Sequence, residues 1–205
     1  YKDIEILLVD DGSTDESLKR CNDLKERDFR IKVFHTENRG AGPARNTGIE
    51  YAEGRYIYFP DADDKLGKNA ISILVKAMEN GKYDLVVFGY KSINVAGKVE
   101  NLKVYPEMSK VAAEIRMDYS DYMGATRRYG IQGAPWNKFF DLSVVKRNGI
   151  GYPNLRRHQD EGFISSYMEK SQNVNFIPDV LYFHYLNDLK KEWDKYPVDY
   201  MDSVI

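Results

Sequence analysis

The chain has 205 residues, 42% hydrophobic and 30% charged, enough for a full core in one domain or at most two. Its 30 Lys and Arg against 32 Asp and Glu give a formal charge of −2, which excludes bulk electrostatic binding to nucleic acid. The one cysteine, Cys21, excludes an internal disulfide framework and fits a reducing compartment, and no apolar stretch approaches the roughly 20 residues of a membrane span.

In chain order, Ile4 to Val9 is a nearly continuous apolar run, which predicts a strand buried on both faces. It stops at Asp10-Asp11-Gly12-Ser13, after which Ser13, Thr14 or Asp15 can cap a helix with Leu18, Cys21 and Leu24 on its apolar stripe. Ile31 to His35 predicts a short second strand. Gly40 and Gly42 then precede Pro43, which suits the first position of a helix running to about Glu53, with Ile49 and Ala52 inward and Gly54 as the stop. Arg55 to Pro60 predicts a strand, Asn69 to Asn80 a helix with Ile71, Leu74, Val75 and Met78 at helical spacing, and Tyr83 to Tyr90 another strand. This alternation predicts an α/β fold with a mostly parallel central sheet flanked by helices. Beyond it, Ser92 to Val104 around Ala96-Gly97 predicts a hairpin, the smaller antiparallel element. Ser109 to Met117 predicts a helix, and Val144 to Asn148 the end of another. Asp160 to Lys170 predicts a third, and Val174 to Tyr185 a strand or strand pair with Pro178 at an edge or turn. The segment from Asp118 to Gly133 has no clear pattern, and the tail from Asn187 is charged and aromatic.

The chemistry concentrates at Asp61-Ala62-Asp63-Asp64, directly after the apolar run Tyr56-Ile57-Tyr58-Phe59-Pro60. Like charges that close repel, and burial makes each harder to ionise. A divalent cation resolves both problems, because hard cations take oxygen ligands. In open α/β sheets ligands sit beyond the carboxyl ends of the strands. Asp10 and Asp11 lie at one such end and the second acidic cluster at another, so both should face one crevice. Asp10 to Ser13 also reads as a turn plus helix cap, which needs no ligand. Between the two clusters, Asn38 to Gly48 opens a helix with Gly40 and Gly42, offering backbone N–H groups to an anion, with Arg39 and Arg45 to add charge-assisted hydrogen bonds. The same segment also reads as a well-made helix start with a solvated arginine. It fits neither GxxxxGK[ST] nor GxGxxG.

These residues carry a resemblance. YKDIEILLVDDGSTDES, ENRGAGPARNTGIEYAEGRYIYF and DADD, the last in place of D-S-D-D, resemble in order and spacing the family 2 glycosyltransferases, nucleotide-sugar transferases of the GT-A fold. Ala134-Pro135-Trp136-Asn137-Lys138-Phe139-Phe140 resembles the family's W-N-K segment, and Val180 to Tyr185 its late aromatic strand. Gln159-Asp160-Glu161-Gly162-Phe163 resembles E-D-x-x-F, with Gln159 replacing Glu. The resemblance implies a single GT-A domain, with residues 1–90 as the nucleotide-sugar half and 91–205 as the acceptor half and C-terminal extension.

It also implies roles. Asp11, with Asp10 nearby, would bind a uridine-type base, and Arg45 the nucleotide or its phosphates. Asp61 would touch ribose or the metal shell, and Asp63 would ligate Mn2+ or Mg2+. Asp160 would be the catalytic base of an inverting transfer, with Glu161 as a competitor or Asp160 as a helix cap instead, and Trp136 would shape the acceptor site. The implied partners are a nucleotide-sugar donor, a UDP-linked hexose, and a saccharide or lipid-linked acceptor, in bacterial surface polysaccharide synthesis. A lipid-linked acceptor would place a cytoplasmic protein at the inner face of the cell membrane, in peripheral contact with it. The oligomeric state is open. Family members open with an additional strand and helix, so the resemblance implies a longer protein.

Other readings stand beside this one. A DxDx[TV] phosphotransferase would need Thr or Val where Asp64 stands. An EF-hand counted from Asp61 would need Gly where Leu66 stands. A non-catalytic protein that binds sugar nucleotides would use the same pocket. His184 reads either as a late metal ligand or as a packed histidine, His35 as structural, and His158 as lining the acceptor mouth. Arg156-Arg157 reads either as a contact for an acidic acceptor or anionic membrane surface or as a solvated loop.

Overall fold

A computed structural model describes residues 1–118, 133–155 and 157–186, so residues 119–132 of the unpatterned segment, Arg156 and the tail from Asn187 lie outside the described residues. β1 (Ile6–Asp11) and β2 (Ile31–Thr36) pair in parallel through α1 (Ser17–Arg27), in a register that sets Asp10 beside His35 and Asp11 beside Thr36. Ile6 to Val9 are half-buried rather than buried on both faces. The reason is local: among the described residues β1 bonds to β2 alone, so one edge lacks a covering strand. α1 likewise buries none of its residues, and Leu24 is exposed.

The larger sheet runs β3 (Tyr56–Tyr58), β8 (Lys138–Asp141), β5 (Leu85–Ile93), β9 (Asn173–Tyr185) and β4 (Lys65–Leu66), with β6 (Val99–Lys103) on β5 and β7 (Met108–Val111) on β9. The sheet is mixed rather than mostly parallel. β3 and β5 run the same way, as a β-α-β crossover requires, but β8 inserts between them antiparallel to both. β5 and β9 are its parallel pair. The hairpin forms as expected, with β6 returning on β5 through a turn closed by Gly97 N–H on Asn94 O. The segment expected to be one helix from Ser109 splits into β7 and α4 (Ala112–Asp118).

Two cores lie on the two faces of this sheet. Along β5, Leu85 and Val87 face one and Val86, Phe88 and Tyr90 the other, the period of two that a strand imposes. α3 (Ala70–Glu79) covers the second face with Ala70, Leu74, Ala77 and Met78. α2 (Ala41–Tyr51), α5 (Leu142–Arg147) and α6 (Gln159–Lys170) cover the first, where Phe140, Phe163 and Tyr167 are fully buried. Each such side chain contributes about 1.5–3 kcal/mol of transfer free energy.

β9 stays one strand by bulging at Pro178, which has no N–H to give a ladder. The register jumps from Phe88 opposite Ile177 to Gly89 opposite Val180. Gly89 makes this possible, because a Cβ there would stand 2.7 Å from Lys103 O and 3.0 Å from Asp179 O, both backbone. Gly89→Ala is therefore expected to cost about 1–3 kcal/mol in chemical denaturation, since neither carbonyl can move without breaking its strand.

Candidate active site

The jump at Gly89 re-aims the end of β9 toward the loop after β3. Tyr182 donates its hydroxyl to Asp64 Oδ2 at 2.5 Å and accepts Asp61 N–H at 3.1 Å. Tyr185 N–H adds a bond to Asp64 Oδ1 at 2.7 Å, and Asp64 N–H closes the turn on Asp61 O. Asp64 is thus the anchor of the acidic loop, while Asp63 is exposed and the Asp61 side chain is 34% exposed.

At the other strand end, Asp10 and Asp11 divide. The Asp10 side chain is 2% exposed, with Oδ2 2.7 Å from His35 Nδ1, the neighbour that the parallel register supplies. Hydrogen bonding from Ser13, with His35 second, holds its carboxyl below the usual range against the cost of burial. Asp11 takes the backbone N–H of Arg39 at 2.9 Å on one oxygen and of Gly40 at 2.7 Å on the other. It therefore clamps the glycine-rich loop where α2 begins. Gly12, at φ +68°, permits the close approach, since a Cβ there would sit 2.5 Å from Asn38 N. α2 starts at Ala41 behind Gly40, so Pro43 is its third residue and not its first. The position tolerates it, because the first helical N–H groups have no partner within the helix.

One turn along α2, Arg45 joins the two halves of the chain. Its Nη2 lies 2.9 Å from Asp61 Oδ1 and its Nη1 2.8 Å from Asp160 Oδ1. Burial drives both carboxyls above the usual range, and Arg45 opposes the rise in each. The guanidinium also lies 5.3 Å from the centre of the Tyr152 ring. Asn46 fixes that neighbour by bonding both Tyr152 N–H and Tyr152 O. Asp160 sits in the first turn of α6 and does not cap it: His158, at φ 59°, holds the cap position. Glu161 faces His158 at 3.6 Å. Of the two candidate bases, Asp160 is the one the arginine holds.

An aromatic wall closes the acidic side. Trp136 stacks on Tyr182 (4.8 Å between centroids) and on His184 (5.4 Å), with Tyr90 edge-on. Tyr58 donates to Trp136 O at 2.6 Å. His184 is packed into this stack with Nδ1 3.4 Å from Ser92 Oγ. Among the described residues no three His, Cys, Asp or Glu side chains gather to hold a metal. Asp61 and Asp63 still offer the hard oxygens a divalent cation takes, and one guanidinium under-compensates the carboxylates present. The donor set fits a cation that completes its shell with water and phosphate oxygens, the habit of Mg2+. Sequence reading missed Tyr182, Tyr152, Asn46 and the bridge itself, since Arg45 and Asp160 lie 115 residues apart.

Comparison with known proteins identifies the family. The model of glycosyl transferase family 2 matches residues 1–133. Glycosyltransferase GlyG of Streptococcus pneumoniae is 30% identical over 200 residues, covering 90% of this chain and 62% of GlyG. Putative glycosyltransferase EpsH of Bacillus subtilis is 28% identical, covering 98% of this chain and 57% of EpsH. The chain thus spans about 60% of the length of these two relatives. Among solved structures, S. aureus TarS 1–349 in complex with UDP-GlcNAc superposes with a TM-score of 0.72 at 21% identity, over 90% of this chain and 50% of that one. The mannosyltransferase PcManGT of Pyrobaculum calidifontis, in complex with GDP-Man and Mn2+, does so with 0.62 at 17%, over 91% and 49%. The fold is GT-A, and the chain belongs to glycosyl transferase family 2.

Proposed function

We propose that this chain is the catalytic core of an inverting, metal-dependent transferase that moves a hexose from a UDP-sugar to a saccharide or lipid-linked acceptor in bacterial surface polysaccharide synthesis. The observation that carries the reading is the Arg45 bridge, which joins Asp61 Oδ1 and Asp160 Oδ1 through one guanidinium. The nucleotide sugars bound by TarS and PcManGT support such a donor. Asp11 and Asp10 organise the nucleotide end, Arg45 meets the phosphates, and Asp61 and Asp63 would hold Mn2+ or Mg2+. Such a cation, when bound, offsets charge on the diphosphate.

The reaction breaks the bond from the anomeric carbon to the diphosphate oxygen and forms one to the acceptor oxygen. Asp160 takes the acceptor's hydroxyl proton as that oxygen attacks, so one displacement inverts the anomeric centre. The raised pKa of Asp160 suits it, because a stronger base accepts that proton more readily. Trp136 and its stacked neighbours offer a flat apolar face to an acceptor sugar. A lipid-linked acceptor would bring the protein to the inner membrane face. Among the described residues no helix is long and apolar enough to cross a membrane.

A screen of UDP- and GDP-sugars for hydrolysis, with Mn2+ or Mg2+ and with chelator, tests the proposal on the whole protein. The expected result is slow hydrolysis of one UDP-hexose that chelator stops. Metal-dependent binding with no turnover, acceptor supplied, would replace the enzyme with a sugar-nucleotide-binding protein.

A further inference from the structure

Tyr152, in the segment between α5 and α6, is 4% exposed, and its hydroxyl is buried with no hydrogen-bond partner among the described residues. A buried hydroxyl left unpaired costs stability, so in this fold the side chain works through its ring. The backbone beneath the ring is held twice. Asn46, next to Arg45 on α2, accepts Tyr152 N–H at 2.7 Å and donates to Tyr152 O at 2.9 Å. The same segment packs closely on α6, where a Cβ on Gly162 would stand 2.6 Å from Pro153 Cγ.

So fixed, the ring meets each part of the Arg45 bridge. It stacks flat on Phe163 of α6, one turn past Asp160, with 4.4 Å between centroids and 3° between planes. Phe59, two residues before Asp61, meets it edge-on at 5.6 Å and 82°. The Arg45 guanidinium carbon lies over the ring, 5.3 Å from its centre. The elements that carry Arg45, Asp61 and Asp160 therefore converge on one side chain.

The ring also differs in kind from the other partners of Arg45. Asp61 and Asp160 hold the guanidinium by charge. An anionic ligand repels both carboxylates and competes with them for the same N–H groups. An aromatic face attracts a cation through its quadrupole and carries no net charge, so a ligand anion does not displace it in that way. We infer that Tyr152 is the positioning residue that seats Arg45: its ring, and not its hydroxyl, keeps the guanidinium between the two carboxylates when Arg45 engages the donor's diphosphate.

The role rests on Arg45 as the phosphate ligand, and the test keeps the two apart. NMR of the ligand-free protein, with Arg45→Lys for assignment, reads the seat without turnover. The Arg45 Cδ protons should lie upfield of the ordinary arginine position because of the ring current. They should return to it in Tyr152→Leu and stay upfield in Tyr152→Phe. Donor hydrolysis reads the consequence. Tyr152→Leu is expected to lower kcat/KM for the UDP-sugar roughly 3–30-fold, the range of a cation–ring contact, and Tyr152→Phe to restore it to within about twofold. In an Arg45→Met background, Tyr152→Leu should change kcat/KM less than about twofold, since the residue it acts through is gone. A loss that multiplies in that background would overturn the inference and leave a core residue. A loss that Phe does not restore would overturn it in favour of the hydroxyl. If Tyr152→Leu or Arg45→Met does not fold, the wild-type spectrum decides: Arg45 protons at the ordinary position overturn the inference. If the upfield shift is present and Arg45→Met hydrolyses the donor at the wild-type rate, the phosphate role of Arg45 fails and the seat stands.

Discussion

Asp160→Asn is expected to lower sugar transfer about 10²–10⁴-fold, the usual contribution of a positioned base, with donor KM little changed. The asparagine oxygen can still accept from Arg45 Nη1, so the bridge keeps its geometry while losing the basic oxygen. The fold should not suffer. Burial raises the Asp160 pKa in spite of Arg45 and Lys138. A carboxyl raised on folding binds more protons folded than unfolded between its two midpoints, so stability falls as pH rises through that window. Above it the charged Asp160 is a standing cost, which Asn removes. Thermal melts should therefore show Asp160→Asn at least as stable as wild type at pH 7, with the difference shrinking as pH falls through the raised Asp160 midpoint toward the ordinary aspartate range. The acid limb of the wild-type rate profile should lie above that range for the same reason. Glu161→Gln is the control: its carboxylate faces His158, and transfer should change only a few-fold. An Asp160→Asn protein with wild-type rate would reject the assignment.

The parts of the site that were legible in the sequence are those built locally. The acidic loop follows an apolar run, Gly40 precedes a helix, and Ile49, Ala52, Leu74 and Met78 fall inward where helical spacing puts them. What was not legible depends on register between distant segments. His35 meets Asp10 because β1 and β2 pair in parallel with no offset. Tyr182 reaches Asp61 and Asp64 because β9 skips residues opposite Gly89, a shift that no hydrophobic pattern encodes. β8 inserts between β3 and β5, so the alternation of strands and helices implied adjacency that the fold does not have. Lys138 fails a rule of composition, since a lysine between Asn137 and Phe139 looks like a break in an apolar run until Ala134 O and Asn137 Oδ1 are seen to hold it. Arg45 looked like a phosphate ligand from its glycine-rich setting, but its link to Asp160 needs the folded chain.

The pair Asp61 and Asp63 should separate on substitution, although both are expected to touch the cation. Asp63 is exposed, so Asp63→Ala should leave stability within about 0.5 kcal/mol. Loss of a ligand to a charge-stabilising cation should lower metal-dependent donor hydrolysis about 10²–10³-fold, the equivalent of several kcal/mol. The pH profile of the residual activity should move less than that of Asp61→Ala, since Asp61 is a like charge that raises the Asp160 pKa. Asp61→Ala should lower the rate as well, but it also breaks the bridge on one side. Arg45 then belongs to Asp160 alone, and the nearby like charge that raised the Asp160 pKa is gone. Both changes favour the Asp160 carboxylate, so its midpoint and the acid limb of the rate should move to lower pH. Rate against pH and Mn2+ concentration for the two variants checks this. Full metal-dependent hydrolysis by Asp63→Ala would remove Asp63 from the metal site. An unshifted acid limb in Asp61→Ala would mean that Arg45 does not connect the donor carboxylate to the base.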